Sequence, residues 1–147
     1  MRQSELERRG PTGVCRCSSN DNHDAVPTVL CVDDNAAFLS AFAAVLEKAG
    51  FAVTTASDPA EGLALVKRRA FDLAILDYHM PGMTGVQLAR KIRRSRPRMP
   101  MLLLSANDCV PAAELLVFNR YVAKGENVQA VLLAIQSSIA GRGRKAA

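Results

Sequence analysis

The sequence predicts an α/β fold: a doubly wound, five-stranded parallel sheet with helices on both faces. Three observations carry this. Short apolar runs such as Leu73–Leu76 and Met101–Leu104 are continuous rather than alternating, as in strands buried on both faces. Stretches with apolar residues at helical spacing separate them. The alternation repeats five times within 147 residues, a length that fits one domain with ragged ends.

The elements follow in order. Residues 1–26 are rich in Ser, Asn, Asp, Arg and Gly without periodicity and are expected to form a disordered leader. Order is expected to begin at Pro27 or Thr28, giving a folded domain over 27–140. Thr28–Val32 is the first strand. A helix follows over 35–49, with Phe38, Phe42, Val45 and Leu46 on one face, Asn35 as N-cap and Gly50 as its stop. Phe51–Ala56 is the second strand, and Ser57-Asp58-Pro59 opens the second helix with proline just inside its start. Leu73–Leu76 is the third strand. Pro81, Gly82 and Gly85 mark a loop before a third helix over 86–96. Met101–Leu104, a short helix over 112–117, a brief strand at Tyr121–Ala123 and an amphipathic helix over 127–139 complete the pattern. Residues 141–147 are expected to form a basic, flexible tail. Strands alternating with helices imply right-handed crossovers. The common order for such a sheet, 2-1-3-4-5 of the flavodoxin-like type, enters by analogy.

Composition narrows the function. About half the chain is apolar and there is no Trp, so the core must be aliphatic. No apolar run approaches the roughly 20 residues that span a bilayer, and the charged first ten residues lack a signal-peptide core, so a soluble, cytoplasmic protein without a membrane partner is expected. The net charge is +5. The three bases of the tail, Arg142, Arg144 and Lys145, and the cluster Arg90, Lys91, Arg93, Arg94, Arg96 and Arg98 are read as solvated surface. No aromatic residues interleave with the tail's charges as a nucleic-acid interface would require, and the cluster is read as a solvated helix face rather than a site for an acidic partner or nucleic acid. Cys15 and Cys17 have no second pair at metal-ligand spacing, and Cys31 sits in an apolar strand as a core residue.

In an open parallel sheet, ligands bind beyond the carboxyl ends of the strands. Asp33-Asp34 end the first strand, Asp77 the third, Ser105 the fourth and Lys124 the fifth. Alone, each has an ordinary explanation as a helix cap, turn former or loop residue. Together they bring three carboxylates, a hydroxyl and an ammonium to one rim. Crowded carboxylates repel unless a cation neutralises them, and an all-oxygen set selects a hard one, Mg²⁺. A cation with a lysine beside it suits a phosphoryl group, and an Asp carboxylate is a competent acceptor for one. The rim therefore points to phosphoryl transfer onto Asp77.

These motifs resemble the receiver domains of bacterial two-component response regulators, the chemotaxis receivers among them. Val29-Leu-Cys-Val-Asp-Asp-Asn35 is similar to the family's first strand with its acidic pair. The segment from Phe71 to Gly85 resembles its phosphorylation segment, Leu102-Leu-Leu-Ser-Ala106 its switch strand, and Tyr121-Val-Ala-Lys124 its last strand. The resemblance covers residues 28–140. It implies that Asp77 accepts phosphate from a histidine kinase or phosphotransfer protein, and that Asp33, Asp34 and Asp77 gather Mg²⁺, with one acid of the pair acting through water. It further implies that the backbone carbonyl of His79 completes the metal site, that Ser105 and Lys124 contact the phosphoryl group, and that Tyr121 is the rotating switch aromatic. The expected output is a changed surface over the fourth helix, fifth strand and fifth helix, for a downstream partner or a second copy. Two departures stand out. Gly125 replaces the family's proline after the lysine, and Val117-Phe118-Asn119 replaces its usual small residues, so a shifted fourth helix is expected. His79 and Asn107 flank the site where the family tunes dephosphorylation.

The function expected is a phosphorylation-dependent receiver, not an enzyme, acting as a stand-alone domain. Two other classes share parts of the pattern. A phosphohydrolase of the haloacid dehalogenase type places a second Asp two residues after its nucleophile, where this chain has His79. A flavodoxin-like electron carrier needs a phosphate loop after the first strand, where Asp33-Asp34 would repel a flavin phosphate.

Overall fold

The computed structural model of the chain describes residues 26–106 and 110–146, with side chains as far as Gly141. The predicted leader up to Ala25, with Cys15 and Cys17, and Asn107, Cys109 and the side chains of residues 142–147 lie outside the described residues. Five strands, β1 (Thr28–Val32), β2 (Ala52–Ala56), β3 (Leu73–Leu76), β4 (Met101–Ser105) and β5 (Arg120–Ala123), form one parallel sheet in the order β2-β1-β3-β4-β5. Five helices connect and flank them: α1 (Ala36–Lys48), α2 (Pro59–Arg68), α3 (Gly85–Ser95), α4 (Ala112–Leu115) and α5 (Val128–Ala146).

The continuous apolar strands feed two cores, because successive side chains point to opposite faces of the sheet. Val29, Cys31, Leu73, Ile75, Leu102 and Leu104 face α1 and α5, meeting Leu39, Leu46, Val131 and Ile135. Leu30, Val32, Leu76, Met101 and Leu103 face the other way, meeting Val66 of α2 and Val86, Leu88 and Ile92 of α3. Burial pushes the Cys31 thiol up to about 12, with the charge of Asp33 adding to the effect, so it behaves as a small apolar core residue.

Local chemistry sets the helix ends. Asn35 accepts from Phe38 N at 3.0 Å, Asp58 from Ala60 N at 3.1 Å with Pro59 opening α2, and Asn127 from Ala130 N at 2.8 Å ahead of α5. Thr84 and Gln87 form a reciprocal capping box that starts α3 one residue earlier than expected. Gly50 takes φ +105° just past α1, a conformation that favours glycine.

Three expectations need correction. The last helix does not end before Gly141 but continues to Ala146. A glycine inside a helix costs only about 1 kcal/mol, which continued backbone hydrogen bonding overrides. The fourth helix is a single turn that closes at Leu115, because Phe118 is drawn into the core and Asn119 exchanges hydrogen bonds with the backbone of Met101. The basic cluster is not uniformly solvated. Arg93 donates to the carbonyls of Pro97, Met99 and Val117 at 3.0, 3.0 and 2.7 Å, and Arg96 donates to Val66 O at 3.0 Å. Both are half-buried, while Arg90, Lys91, Arg94 and Arg98 are exposed.

One glycine matters for the site. Gly85 N donates to Tyr78 O at 2.8 Å, so α3 begins directly against the end of β3. A Cβ at position 85 would overlap the carbonyl oxygen of Asp77. Gly85→Ala is therefore expected to destabilise the fold by about 1–3 kcal/mol, because backbone rather than a flexible side chain must give way. Chemical denaturation would measure it, and an unchanged midpoint would refute the close packing.

Candidate functional site

Parallel pairing brings strand ends of like direction to one rim, and backbone hydrogen bonds hold them there. Asp33 N donates to Ala56 O at 3.1 Å, Asp77 N to Val32 O at 3.0 Å, and Lys124 N to Ser105 O at 3.0 Å. Asp33, Asp77 and Lys124 thus leave their strands at positions set by a neighbouring strand.

The structure brings Asp33, Asp34, Asp77 and Lys124 together. Oxygen atoms of the three carboxylates all lie within 4.8 Å of one another. Asp33 and Asp77 are buried, whereas Asp34 is exposed. Lys124 Nζ is 2.7 Å from Asp33 Oδ2 and 3.3 Å from Asp77 Oδ1. The other oxygen of Asp33 accepts from Asn35 N at 2.9 Å, so this carboxylate is occupied on both sides. Ser105 is 1% exposed at the end of β4, between the strands that carry Asp77 and Lys124. Tyr121 is half-buried, pairs with Leu103 in the sheet register and packs on the α2–α3 side of the core. His79 stands exposed, two residues beyond Asp77.

Electrostatics follow from this crowding. Burial raises the Asp77 carboxyl above its ordinary value. The charge of Asp33 adds to the rise, Lys124 partly offsets it, and Asp34 contributes further upward. For Lys124, burial works to lower the ammonium, but the hydrogen bond to Asp33 and the charges of Asp77 and Asp33 outweigh it and leave it raised. The three carboxylates supply oxygen donors only, a set that fits Mg²⁺. Asp34, exposed at the rim, is the most accessible of them.

Sequence reasoning missed two features. Phe38, expected only as a helical core residue, lies under Lys124 with its ring centroid 4.4 Å from Nζ, a cation–π contact that also limits hydration. Tyr78 carried no assigned role, yet its hydroxyl donates to Glu114 Oε1 on α4 at 2.9 Å. That bond first, then burial and the charge of Glu114, raise the phenol above its ordinary value. A tyrosine beside the candidate acceptor was visible in the sequence; its partner, 36 residues away, was not.

Comparisons with known proteins agree on one family. The model of the response regulator receiver domain matches residues 29–136. The probable transcriptional regulatory protein TcrX of Mycobacterium tuberculosis is 32% identical over 113 residues, covering 75% of this chain and 48% of that protein. GlrR of Escherichia coli is 38% identical over 85 residues, 58% of this chain and 19% of its own. The chain thus spans half or less of these curated relatives. Among solved structures, a CheY-like receiver domain protein from Methanospirillum hungatei shows 25% identity and a TM-score of 0.76, covering 82% of this chain and 99% of its own. The receiver domain of the sensor histidine kinase PA1611 of Pseudomonas aeruginosa, solved with a magnesium ion coordinated in its active-site cleft, shows 26% identity and a TM-score of 0.73, covering 79% and 99%. No helix among the described residues is long and apolar enough to cross a membrane.

The upward shift of Asp77 has a consequence for stability. A carboxyl whose folded value is raised binds its proton more tightly in the native state, so the contribution of Asp77 to stability falls as pH rises from the unfolded value, about 3.9, through the folded one. Asp77→Asn removes that charge. In metal-free buffer the variant is expected to melt at higher temperature than wild type at neutral pH, and the gap should close as pH falls below that window. A variant that melts lower than wild type at neutral pH would refute net repulsion at this site.

Proposed function

The chain belongs to the response regulator receiver family of two-component systems, and from that premise we propose that it is a phosphorylation-dependent switch whose phosphoacceptor is Asp77. The observation that carries this reading is the juxtaposition of Asp77 with two further carboxylates within 4.8 Å and an ammonium at 3.3 Å. A rim of three acids and one ammonium can receive an anionic phosphoryl group once a further cation offsets the acids, with the carboxylate of Asp77 as the nucleophile.

The donor is a phosphohistidine of a histidine kinase or phosphotransfer protein. An Asp77 oxygen attacks phosphorus, the P–N bond breaks, and the freed histidine nitrogen takes up a proton. Lys124, freed from part of its pairing with Asp77, follows the charge onto the phosphoryl oxygens. Ser105, at the end of the intervening strand, donates to another of these oxygens. Mg²⁺ would be held chiefly by Asp34 and Asp77, with Asp33 assisting and the His79 carbonyl as a further donor. When bound, it supplies the positive charge that lets an anionic group approach three acids. The accessibility of Asp34 and the double engagement of Asp33 support that division.

The output is a change of surface. Movement of Ser105 toward the phosphoryl group vacates space beside β4, and Tyr121 turns into it. The face formed by α4, β5 and α5 then differs between two states whose populations the phosphoryl group shifts. A downstream partner or a second copy reads that face.

Acetyl phosphate with Mg²⁺ should add one phosphoryl group that is stable to acid and labile to base, read by intact mass. Asp77→Asn should abolish the mass change while remaining folded, and continued stoichiometric labelling of that variant would sink the assignment. Millimolar Mg²⁺ alone should raise the melting temperature of the wild type; no change in melting or in amide shifts near Asp34 and Asp77 would refute the metal site. With beryllium fluoride as phosphoryl mimic, wild type should show spectral changes across α4, β5 and α5 that Ser105→Ala largely loses. Equal changes in both proteins would exclude coupling through Ser105.

A further inference from the structure

Two helix ends meet at the edge of the sheet opposite the Asp33–Asp77 rim. α2 leads into the start of β3 and α3 into the start of β4, so both close at that edge. They pack side by side, and Arg96 Nε donates to Val66 O at 3.0 Å, which joins the end of one to the end of the other. Lys67 and Arg68 follow Val66 directly, while Arg90, Lys91, Arg94 and Arg98 stand on α3 and just beyond it. All six are exposed. Residues 62–100 hold nine bases and two acids. Of the acids, Asp77 belongs to the far rim, and Asp72 is engaged by Thr28 N at 2.8 Å and Thr28 Oγ1 at 3.2 Å. Among the described residues, no acid stands within ion-pair distance of any of the six bases.

A merely solvated helix face balances its charges. Bases in a last turn answer the negative end of the helix, which accounts for Lys67, Arg68 and Arg94. It does not account for Arg90 and Lys91, one turn further back, or for Arg98 beyond the helix. α3 has no acid in its first turn, and Arg94 stands at neighbouring helical positions to both Arg90 and Lys91, like-charge spacings that destabilise a helix. The face thus runs against local charge complementarity, as functional surfaces do. What the sequence alone reads as the solvated side of one helix is a field of positive charge shared by two.

We propose that this face binds the phosphate backbone of a nucleic-acid duplex, without reading its sequence. The large apolar residues exposed among the described residues, Val26, Leu116, Val128 and Leu133, lie on neither helix. A protein interface carries an apolar core, and a helix lying in a membrane surface turns an apolar face to the lipid. Here Val86, Leu88, Ala89 and Ile92 of α3 are already buried in the domain. Phe71, the aromatic residue just past α2, is buried as well, so it offers no ring on which the bases of a single strand could stack. Charge is what the face presents. Four of its six bases are guanidinium forks, which match phosphate oxygens. Arg90 and Arg94 stand about 6 Å apart along the helix axis. A duplex carries one charge per about 1.7 Å of its own axis, so each base along the face has a phosphate within reach. Release of the counterions condensed on those phosphates drives the association.

The test is fluorescence anisotropy of a short labelled DNA duplex titrated with the full chain at several salt concentrations. Affinity should fall with salt along a log–log slope of about −5, roughly a thousandfold between about 50 and about 200 mM. Three paired variants divide the face: Lys67→Gln with Arg68→Gln, Arg90→Gln with Lys91→Gln, and Arg94→Gln with Arg98→Gln. Each pair should make the slope shallower by about 2 and weaken binding, while the melting temperature stays near wild type because these side chains are exposed and unpaired. Replacing Arg142, Arg144 and Lys145 by Gln should leave most of the slope in place. A duplex that stays unbound at low salt, paired variants that keep the wild-type slope, or binding that vanishes with the three tail bases each overturns the proposal. Phosphatidylserine vesicles and a polyglutamate peptide are run beside the duplex. Weaker binding of both supports the phosphate backbone as the occupant; equal or tighter binding of the vesicles or the peptide overturns that assignment in favour of a membrane surface or an acidic protein.

Discussion

Lys124 bridging Asp33 and Asp77 is the interaction on which the rest of the rim depends. β1 and β3 are hydrogen-bonded neighbours running the same way, so their carboxyl ends stand about 4.8 Å apart and Asp33 and Asp77 cannot avoid one another. The sheet topology thus creates a repulsion that the sheet itself cannot relieve. Relief comes from the far edge. β4 separates β5 from β3, and its last residue is the small Ser105, across which a long side chain from β5 can reach both acids. A shorter cation at position 124, or a bulky side chain at 105, would leave two buried carboxylates unopposed.

The surroundings of that bridge sharpen it without resolving it. Phe38 shields the ammonium on one side, and burial of the acids strengthens attraction and repulsion alike. The net result for Asp77 is still an upward shift, so one ammonium does not balance the site. Unbalanced charge of this kind is a common way in which functional sites depart from the rules that stabilise a core.

The fold was legible where a local rule and the tertiary demand coincided. Leu73–Leu76 reads as a fully buried strand and is one; Asp58-Pro59 reads as a helix start and caps α2; Gly50 reads as a stop and takes the positive φ that a stop requires. The rim residues were legible because strand ends can be counted along the chain, which places Asp33, Asp34, Asp77, Ser105 and Lys124 without knowing their distances. What escaped was decided by contacts between segments far apart in sequence. α4 closes early because Phe118 has a core to enter, and Arg93 reads as surface until the carbonyls of Pro97, Met99 and Val117 turn toward it. Gly141 shows the opposite error, a local breaker outweighed by a helix already under way.

Arg93 gives the basic helix a meaning that its charge does not suggest. Its guanidinium gathers carbonyls from the turn after α3, from the approach to β4 and from the link between α4 and β5. A planar fork with several fixed donors can do this, whereas the point charge of a lysine cannot. Positions 90, 91, 94 and 98 are free to exchange one base for another, but position 93 is not, although all of them look alike in the sequence. The interior of this helix face is a joint between three loops, and the tolerance of α3 to substitution is expected to alternate sharply from one residue to the next.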